Sequence, residues 1–231
     1  MLALLLLGCA EKVGVISGTV LVGPGLVGSP LENGKVTILG DSAERFDEAT
    51  TDRDGRFEAT APIGLNIFAV IEGAGMTPAV FSGSMGQGDF TVEPGFLFAW
   101  PEADRATLDQ EFSGCSAPGP VITGEVRLFG ATDENGTSPL LQTAFAWVET
   151  ASGDVIDACY LNEAGDAWDP EAETAGPTAR YAVFGLEPGF YDLVYGYYVT
   201  PDFPLEHRLT IYVTDGAIAP QYPAWADLYL P

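Results

Sequence analysis

The sequence predicts an all-β protein made of two tandem antiparallel β-sandwiches, and three observations carry that expectation. Apolar segments are short, alternate with polar residues and are punctuated by turn formers: 28 Gly and 17 Pro occur in 231 residues, which suits many strands joined by tight turns. No amphipathic pattern long enough for a major helix interrupts them. Two segments also begin alike, residues 15–20 (VISGTV) and 121–126 (VITGEV), and each leads on to Ser-Pro-Leu, at 29–31 and at 138–140. Their offset of 106 to 109 residues is a domain-sized period that points to duplication of one module. A chain of this length holds two domains of about 100 residues each.

Residues 13–101 are expected to form the first sandwich. After VISGTV, KVTILG ending at Gly40 and GRFEATAPIG from Gly55 alternate as half-buried strands do, and TTDRDGRF places an Asp-Gly turn before the second of them. LNIFAVIE and GFLFAWP supply further strands. Residues 102–120 are polar and bounded by proline, and read as a linker with at most one helical turn. Residues 121–231 form the second sandwich. There AFAWVETASGDVIDACYL is a hairpin turning at 152–154, ARYAVFGLEPGFYDLVYGYYV gives two strands broken at Pro188-Gly189, and HRLTIYV and ADLYLP complete the set. Tyr191, Leu193, Tyr195, Tyr197 and Val199 share one face of a strand and are assigned to the core. Tyr198 lies on the opposite face.

The N-terminal stretch LLLLGCAEK, residues 4–12, is apolar up to a cysteine and polar directly after it. Leu6-Leu7-Gly8-Cys9 resembles the lipobox of bacterial lipoproteins. That resemblance implies a signal remnant over 1–8, diacylglycerol on the Cys9 thiol, and a lipidated tether over 9–12. The positively charged start and longer apolar region usual in such leaders are missing. A buried first strand over residues 2–7, with Cys9 as a small core residue, is the competing reading. Under the lipobox reading two of the three cysteines remain, Cys115 in the linker and Cys159 on a strand. They either form a disulfide in an oxidising compartment or stay as free thiols.

The order of several short motifs resembles the carboxypeptidase regulatory-like domains, sandwiches related in shape to transthyretin and broadly immunoglobulin-like. The first copy carries Ser17-Gly18, Pro30-Leu31, Thr51-Asp52, Gly55 and Phe57, but has Asn66 where an aromatic is usual. The second keeps Tyr181, Leu186, Pro188-Gly189, Tyr191 and Leu193, with an insertion over 162–178 where the Asp-Gly turn would fall. The resemblance covers most of the chain beyond residue 12 and implies a pair of transthyretin-like sandwiches, a fold that hosts unrelated functions.

Charge narrows the partners. Nine Lys and Arg face 33 Asp and Glu, a formal net charge of −24, and no basic stripe interrupts the acidic sequence, so nucleic acid is excluded as a partner. No apolar run reaches the roughly 18 residues of a membrane-spanning helix. The expected location is the cell envelope, on a bacterial membrane through the lipid anchor. The outer membrane is favoured, with the body facing periplasm or cell surface and meeting an envelope protein or glycan.

Candidate ligand chemistry is sparse. TDRDG resembles the start of a calcium loop, but the twelfth position counted from Asp52 is Ile63 rather than Glu. The acidic insertion offers Glu163, Asp166 and Asp169 as carboxylates for Ca²⁺, the one cofactor considered, with a solvated acidic loop as the alternative. Trp168 and Tyr198 are the candidates for stacking against a sugar ring. The single histidine, His207, has no nucleophile elbow or second histidine to work with, and no catalytic residue is assigned. The sequence thus reads as a lipid-anchored extracytoplasmic structural or protein-interaction protein, with a carbohydrate-, peptide- or calcium-binding module as the alternative.

Overall fold

The computed structural model describes residues 12–23, 28–93, 96–103, 105, 114–115, 117–129, 143–162, 168–176, 179–200 and 203–227. In the first half the strands are β1 (Val13–Val22), β2 (Ser29–Pro30), β3 (Lys35–Leu39), β4 (Arg45–Thr50), β5 (Arg56–Pro62), β6 (Asn66–Glu72), β7 (Met76–Thr77), β8 (Ala79–Ser84), β9 (Phe90–Thr91) and β10 (Leu97–Pro101). The second half contains β11 (Val121–Phe129), β12 (Ala144–Glu149), β13 (Val155–Asp157), β14 (Cys159–Leu161), β15 (Trp168–Asp169), β16 (Arg180–Val183), β17 (Gly189–Thr200), β18 (Phe203–Val213) and β19 (Ile218–Asp227). The protein is all-β.

Each half stacks two sheets over an apolar core. In the first, β1 lies between β5 on one side and β9 and β10 on the other, opposite a layer ordered β4-β3-β6-β8. Alternation sets the faces: Phe57, Ala59 and Ala61 of β5 point inward, while Arg56, Glu58 and Thr60 are exposed. In the second half β11 lies between β16 and β19, opposite a layer ordered β13-β12-β17-β18. The two halves repeat one register. Gly18 of β1 stands opposite Phe57, and Gly124 of β11 stands opposite Tyr181. A Cβ on Gly18 would come within 3.1 Å of the Phe57 ring, so in the first half the Ser-Gly step makes room for the aromatic across the ladder.

The sheets are mixed rather than purely antiparallel. The first and last long strands of each half run parallel, Val20 to Val22 against Leu97 to Ala99 and β11 against β19. Parallel neighbours need a long crossover, and here nearly the whole module is that crossover. Alternation within a strand gives no information about the direction of its neighbour.

Local clamps hold the turns. The Asp52 carboxylate accepts hydrogen bonds from the backbone N–H of Asp54 (2.8 Å) and Arg56 (2.9 Å), and Gly55 takes φ 74° where a Cβ would come within 2.5 Å of the Val20 carbonyl oxygen. TDRDG is therefore a side-chain-capped turn. In the second half the Tyr191 hydroxyl donates to the Glu187 carbonyl (2.8 Å) and accepts from the Glu187 N–H (3.0 Å), pinning the loop before β17 as a tyrosine corner does. The first copy has Asn66 near that place and ties its turn otherwise, with the Gly64 N–H donating to the carbonyl of buried Met85 (2.8 Å). Tyr160 performs a third clamp. Beyond Asp157, where β13 ends, its hydroxyl donates to the Ala146 carbonyl and accepts from the Ala146 N–H, both at 2.8 Å.

The halves are fused. Ile218 of β19 pairs in parallel with Ala79 of β8, and the Ile218 N–H donates to the Pro78 carbonyl (2.9 Å). One nine-stranded sheet therefore runs from β15 to β4. Strand β6 is apolar on both faces, with Ile67, Ala69 and Ile71 in the first core and Phe68 and Val70 in the second. Phe68 is fully buried and meets Phe190 of β17 edge-to-face at 5.4 Å and Tyr212 of β18 at 6.1 Å. The connection is braced as well. Arg105 donates to the Gly119 carbonyl (3.0 Å) and the Gly216 carbonyl (3.4 Å), and Cys115 is bonded to Cys159.

Candidate functional site

The side chains of β12 have an inverted size pattern. Its small residues Ala144, Ala146 and Val148 face the core, and its aromatics Phe145 and Trp147 face outward. Phe145 lies across from Gly196 of β17, where a Cβ would collide with the Leu205 carbonyl and come within 2.9 Å of the Phe145 ring. The missing side chain lets the ring lie down on the sheet. Trp147 stacks on one side of it (5.2 Å, 17° between planes) and Tyr198 leans on the other (5.0 Å, 56°). Phe145 is thereby buried, Trp147 half-buried and Tyr198 exposed.

A polar border runs beside this strip. The Arg208 guanidinium donates in a two-pronged fashion to Glu149, Nη1 to Oε2 at 2.6 Å and Nη2 to Oε1 at 3.0 Å. Trp147 Nε1–H donates to the same carboxylate at 3.2 Å. These bonds, the Arg208 pair foremost, hold the Glu149 carboxyl below its ordinary pKa. Thr210 donates to Asp192 at 3.1 Å on the same face. The exposed Tyr198 ring and the half-buried Trp147, bordered by fixed acceptors and donors, can pack against a ring-shaped ligand and hydrogen-bond its rim.

The residues singled out in the sequence fall in different places. Tyr198 is on the strip, 41% exposed. Trp168 is not: its ring is buried in a cluster with Leu161, Phe184 and the Cys115–Cys159 bridge, and the surface tryptophan beside Tyr198 is Trp147. The reason is topological, because Trp168 belongs to β15, which pairs with β14 and turns its indole toward the disulfide. Asp169 accepts from the Glu171 N–H (2.9 Å), an ordinary turn contact. Glu163, Asp166 and Cys9 lie outside the described residues. Among the described residues no group of three or more His, Cys, Asp or Glu side chains is arranged to hold a metal ion. His207 stacks on Tyr195 across the β17–β18 ladder at 5.7 Å. The Tyr191, Leu193 and Tyr197 face is core, with Tyr195 half-buried.

No protein-family model matches the chain, and no curated protein matches it in sequence. Solved structures give remote likenesses. The TIE protein of Bacillus anthracis aligns at 10% identity and a TM-score of 0.30 over 93% of this chain, which spans 34% of that one. The shaft pilin SpaA of Lactobacillus rhamnosus GG aligns at 10% identity and 0.29, over 95% of this chain and 100% of its own. The minor pilin GBS52 of Streptococcus agalactiae aligns at 12% and 0.30, over 94% and 98%. At such scores these likenesses transfer nothing from those proteins to this chain.

Proposed function

We propose that this chain is a non-catalytic structural or protein-interaction protein of the cell envelope, held at a membrane by lipid on Cys9, whose two sandwiches act as one stiff body. The observation that carries the reading is the joint. A sheet continuous through β8 and β19, and Phe68 buried against Phe190 and Tyr212, make the relative position of the two modules part of the fold. A body of that kind suits presenting surfaces at a fixed distance and angle. The Cys115–Cys159 bond supports an oxidising compartment outside the cytoplasm. The matched registers of Gly18 with Phe57 and Gly124 with Tyr181 support a duplicated module of the carboxypeptidase regulatory-like kind.

The test is made in cells of the native host. Radiolabelled palmitate is expected to enter the full-length protein and not its Cys9→Ser variant, and in-cell cross-linking is expected to trap a discrete envelope protein. A protein that takes no label and is recovered only as monomer from the cytoplasm would refute the reading. A second reading, carbohydrate binding, is favoured by the Trp147–Phe145–Tyr198 strip. Under it, Tyr198→Ala and Trp147→Ala abolish retention on envelope polysaccharide while the circular dichroism spectrum shows the fold retained.

A further inference from the structure

A cavity of about 540 Å³ opens beside the first sandwich, where Tyr195, Leu209 and Pro220 of the second half complete its lining, and its size is within the range of ligand sites. Its wall includes four consecutive residues of β8, Phe81 to Ser84, and four consecutive residues beginning at β9, Phe90 to Glu93. Successive side chains of a strand point to opposite faces. A wall that uses every residue in a row is therefore built from a strand's edge, not from its face. The floor is apolar and includes Ile16, Phe57 and Ile67 from the two inner faces, while Phe90 and Phe96 stand 46% and 43% exposed at the rim.

The pairing explains the opening. β8 is bonded to β6 along its length, but on its other side it meets β19 only at Ala79, after which the two strands part. β9 is paired with β1 on one side. Among the described residues, β8 beyond Ala79 and β9 have no strand hydrogen-bonded on the cavity side, and Tyr195, Leu209 and Pro220 line this slot from the second half. Such an edge is a template for another strand, and an extended peptide would satisfy the backbone of the edge and the apolar floor together. A small apolar molecule would fill the floor and leave the edge in water.

We infer that this slot takes an extended segment of a partner protein, which adds as a strand along Val80 to Ser84 of β8 and drops alternate apolar side chains between the two sheets. At about 3.4 Å per residue the edge accommodates roughly five residues. The slot's wall contains Glu93 and no cationic residue, and the whole chain carries −24. The fitting segment is therefore poor in acids and flanked by Lys or Arg. The inference rests on the interaction-protein reading and supplies the chemistry of the partner.

The experiment uses the full chain and fluorescein-labelled seven-residue peptides, Lys-X-Thr-X-Thr-X-Lys with X as Val, Ile, Leu or Phe, read by anisotropy. Saturable binding by at least one is expected. Its analogue N-methylated at alternate residues, which cannot donate to the edge, is expected to bind about tenfold or more weakly, and its Glu-flanked analogue to bind more weakly as well. Gly83→Leu is the fold-preserving control. A Cβ there meets nothing nearer than Ile67 Cγ1 at 4.0 Å, so the new side chain enters the slot, and binding should be lost with an unchanged melting temperature. Equal binding of the N-methylated and unmethylated peptides, displacement of the peptide by the neutral dye N-phenyl-1-naphthylamine alone, or no binding by any peptide would overturn the inference. Self-association of the chain that Gly83→Leu abolishes would also overturn it, assigning the slot to a second copy. An envelope partner still trapped by the Gly83→Leu variant would refute the slot and leave the interaction reading standing.

Discussion

Replacing Phe68 by Ala separates a fused two-module body from two beads on a string. Phe68 points away from its own module's core and toward the second, and it is fully buried there. Truncating a buried Phe costs about 3 to 5 kcal/mol, and the ring also makes an edge-to-face contact with Phe190 at 5.4 Å and a tilted one with Tyr212 at 6.1 Å. Aromatic pairs of this kind contribute about 0.5 to 1.5 kcal/mol beyond burial. A total loss near 4 kcal/mol is expected in equilibrium urea unfolding followed by tryptophan fluorescence with the disulfide intact. Were the modules hinged apart, Phe68 would be a surface residue and its truncation would cost within about 0.5 kcal/mol. A double-mutant cycle with Phe190→Ala should return a coupling of about 1 kcal/mol. A single-mutant loss below about 1 kcal/mol together with zero coupling would refute the joint.

Three further outcomes are expected. Tyr160→Phe strands the Ala146 N–H and carbonyl in a buried ladder and should destabilise by about 1 to 3 kcal/mol; burial pushes the Tyr160 hydroxyl up to about 12, so ultraviolet titration of the native protein should show one tyrosine silent well past pH 10. Reducing the Cys115–Cys159 bond, whose partners are 44 residues apart, should cost about 4 kcal/mol on the chain-entropy model, read as a lower melting temperature in dithiothreitol that Cys115→Ser reproduces and does not add to. Asp47 accepts from the backbone of Glu48 and from the backbone and hydroxyl of Thr60, which hold its carboxyl below the ordinary aspartate value. Its contribution to stability is therefore complete above about pH 4 and lost as pH falls through the lowered folded value, so the melting-temperature gap between wild type and Asp47→Asn should narrow progressively as pH falls below about 4.

Much of each module could be read from the chain because burial there alternates with period two. Phe57, Ala59 and Ala61 against Glu58 and Thr60 is a pattern that only a half-buried strand satisfies, and Tyr191 sits where a loop clamp needs it. The joint was harder to read because it replaces alternation with a continuous run. NIFAVIE is apolar on both faces because both are covered, by the first core and by Phe190 and Tyr212. That run was the available signal for a second packing partner. Of the two stacking candidates, Tyr198 lies on the strip and Trp168 falls elsewhere for a related reason. Trp168, flanked by acidic residues, looked exposed, yet its neighbours in space are Leu161 and the disulfide. Trp147 sits in an apolar run that gives it no local mark of exposure, and it faces outward because its small alternating neighbours take the inner face. The slot beside β8 depends on where β19 departs from Ala79, a long-range fact with no local pattern.

The parallel pairing of first and last strands decides how the protein would bear tension. A load entering the second module at the start of β11 and leaving at the end of β19 pulls two side-by-side parallel strands in opposite directions along their length, from Val121–Ile218 to Phe129–Asp227. Every bond of that ladder is then strained in shear at once, whereas an antiparallel hairpin pulled by its ends opens one rung at a time. β1 and β10 give the first module the same geometry. For a protein tethered by one end and gripped elsewhere, the order of strands in the sheet, more than the depth of the core, would set the force at which it yields.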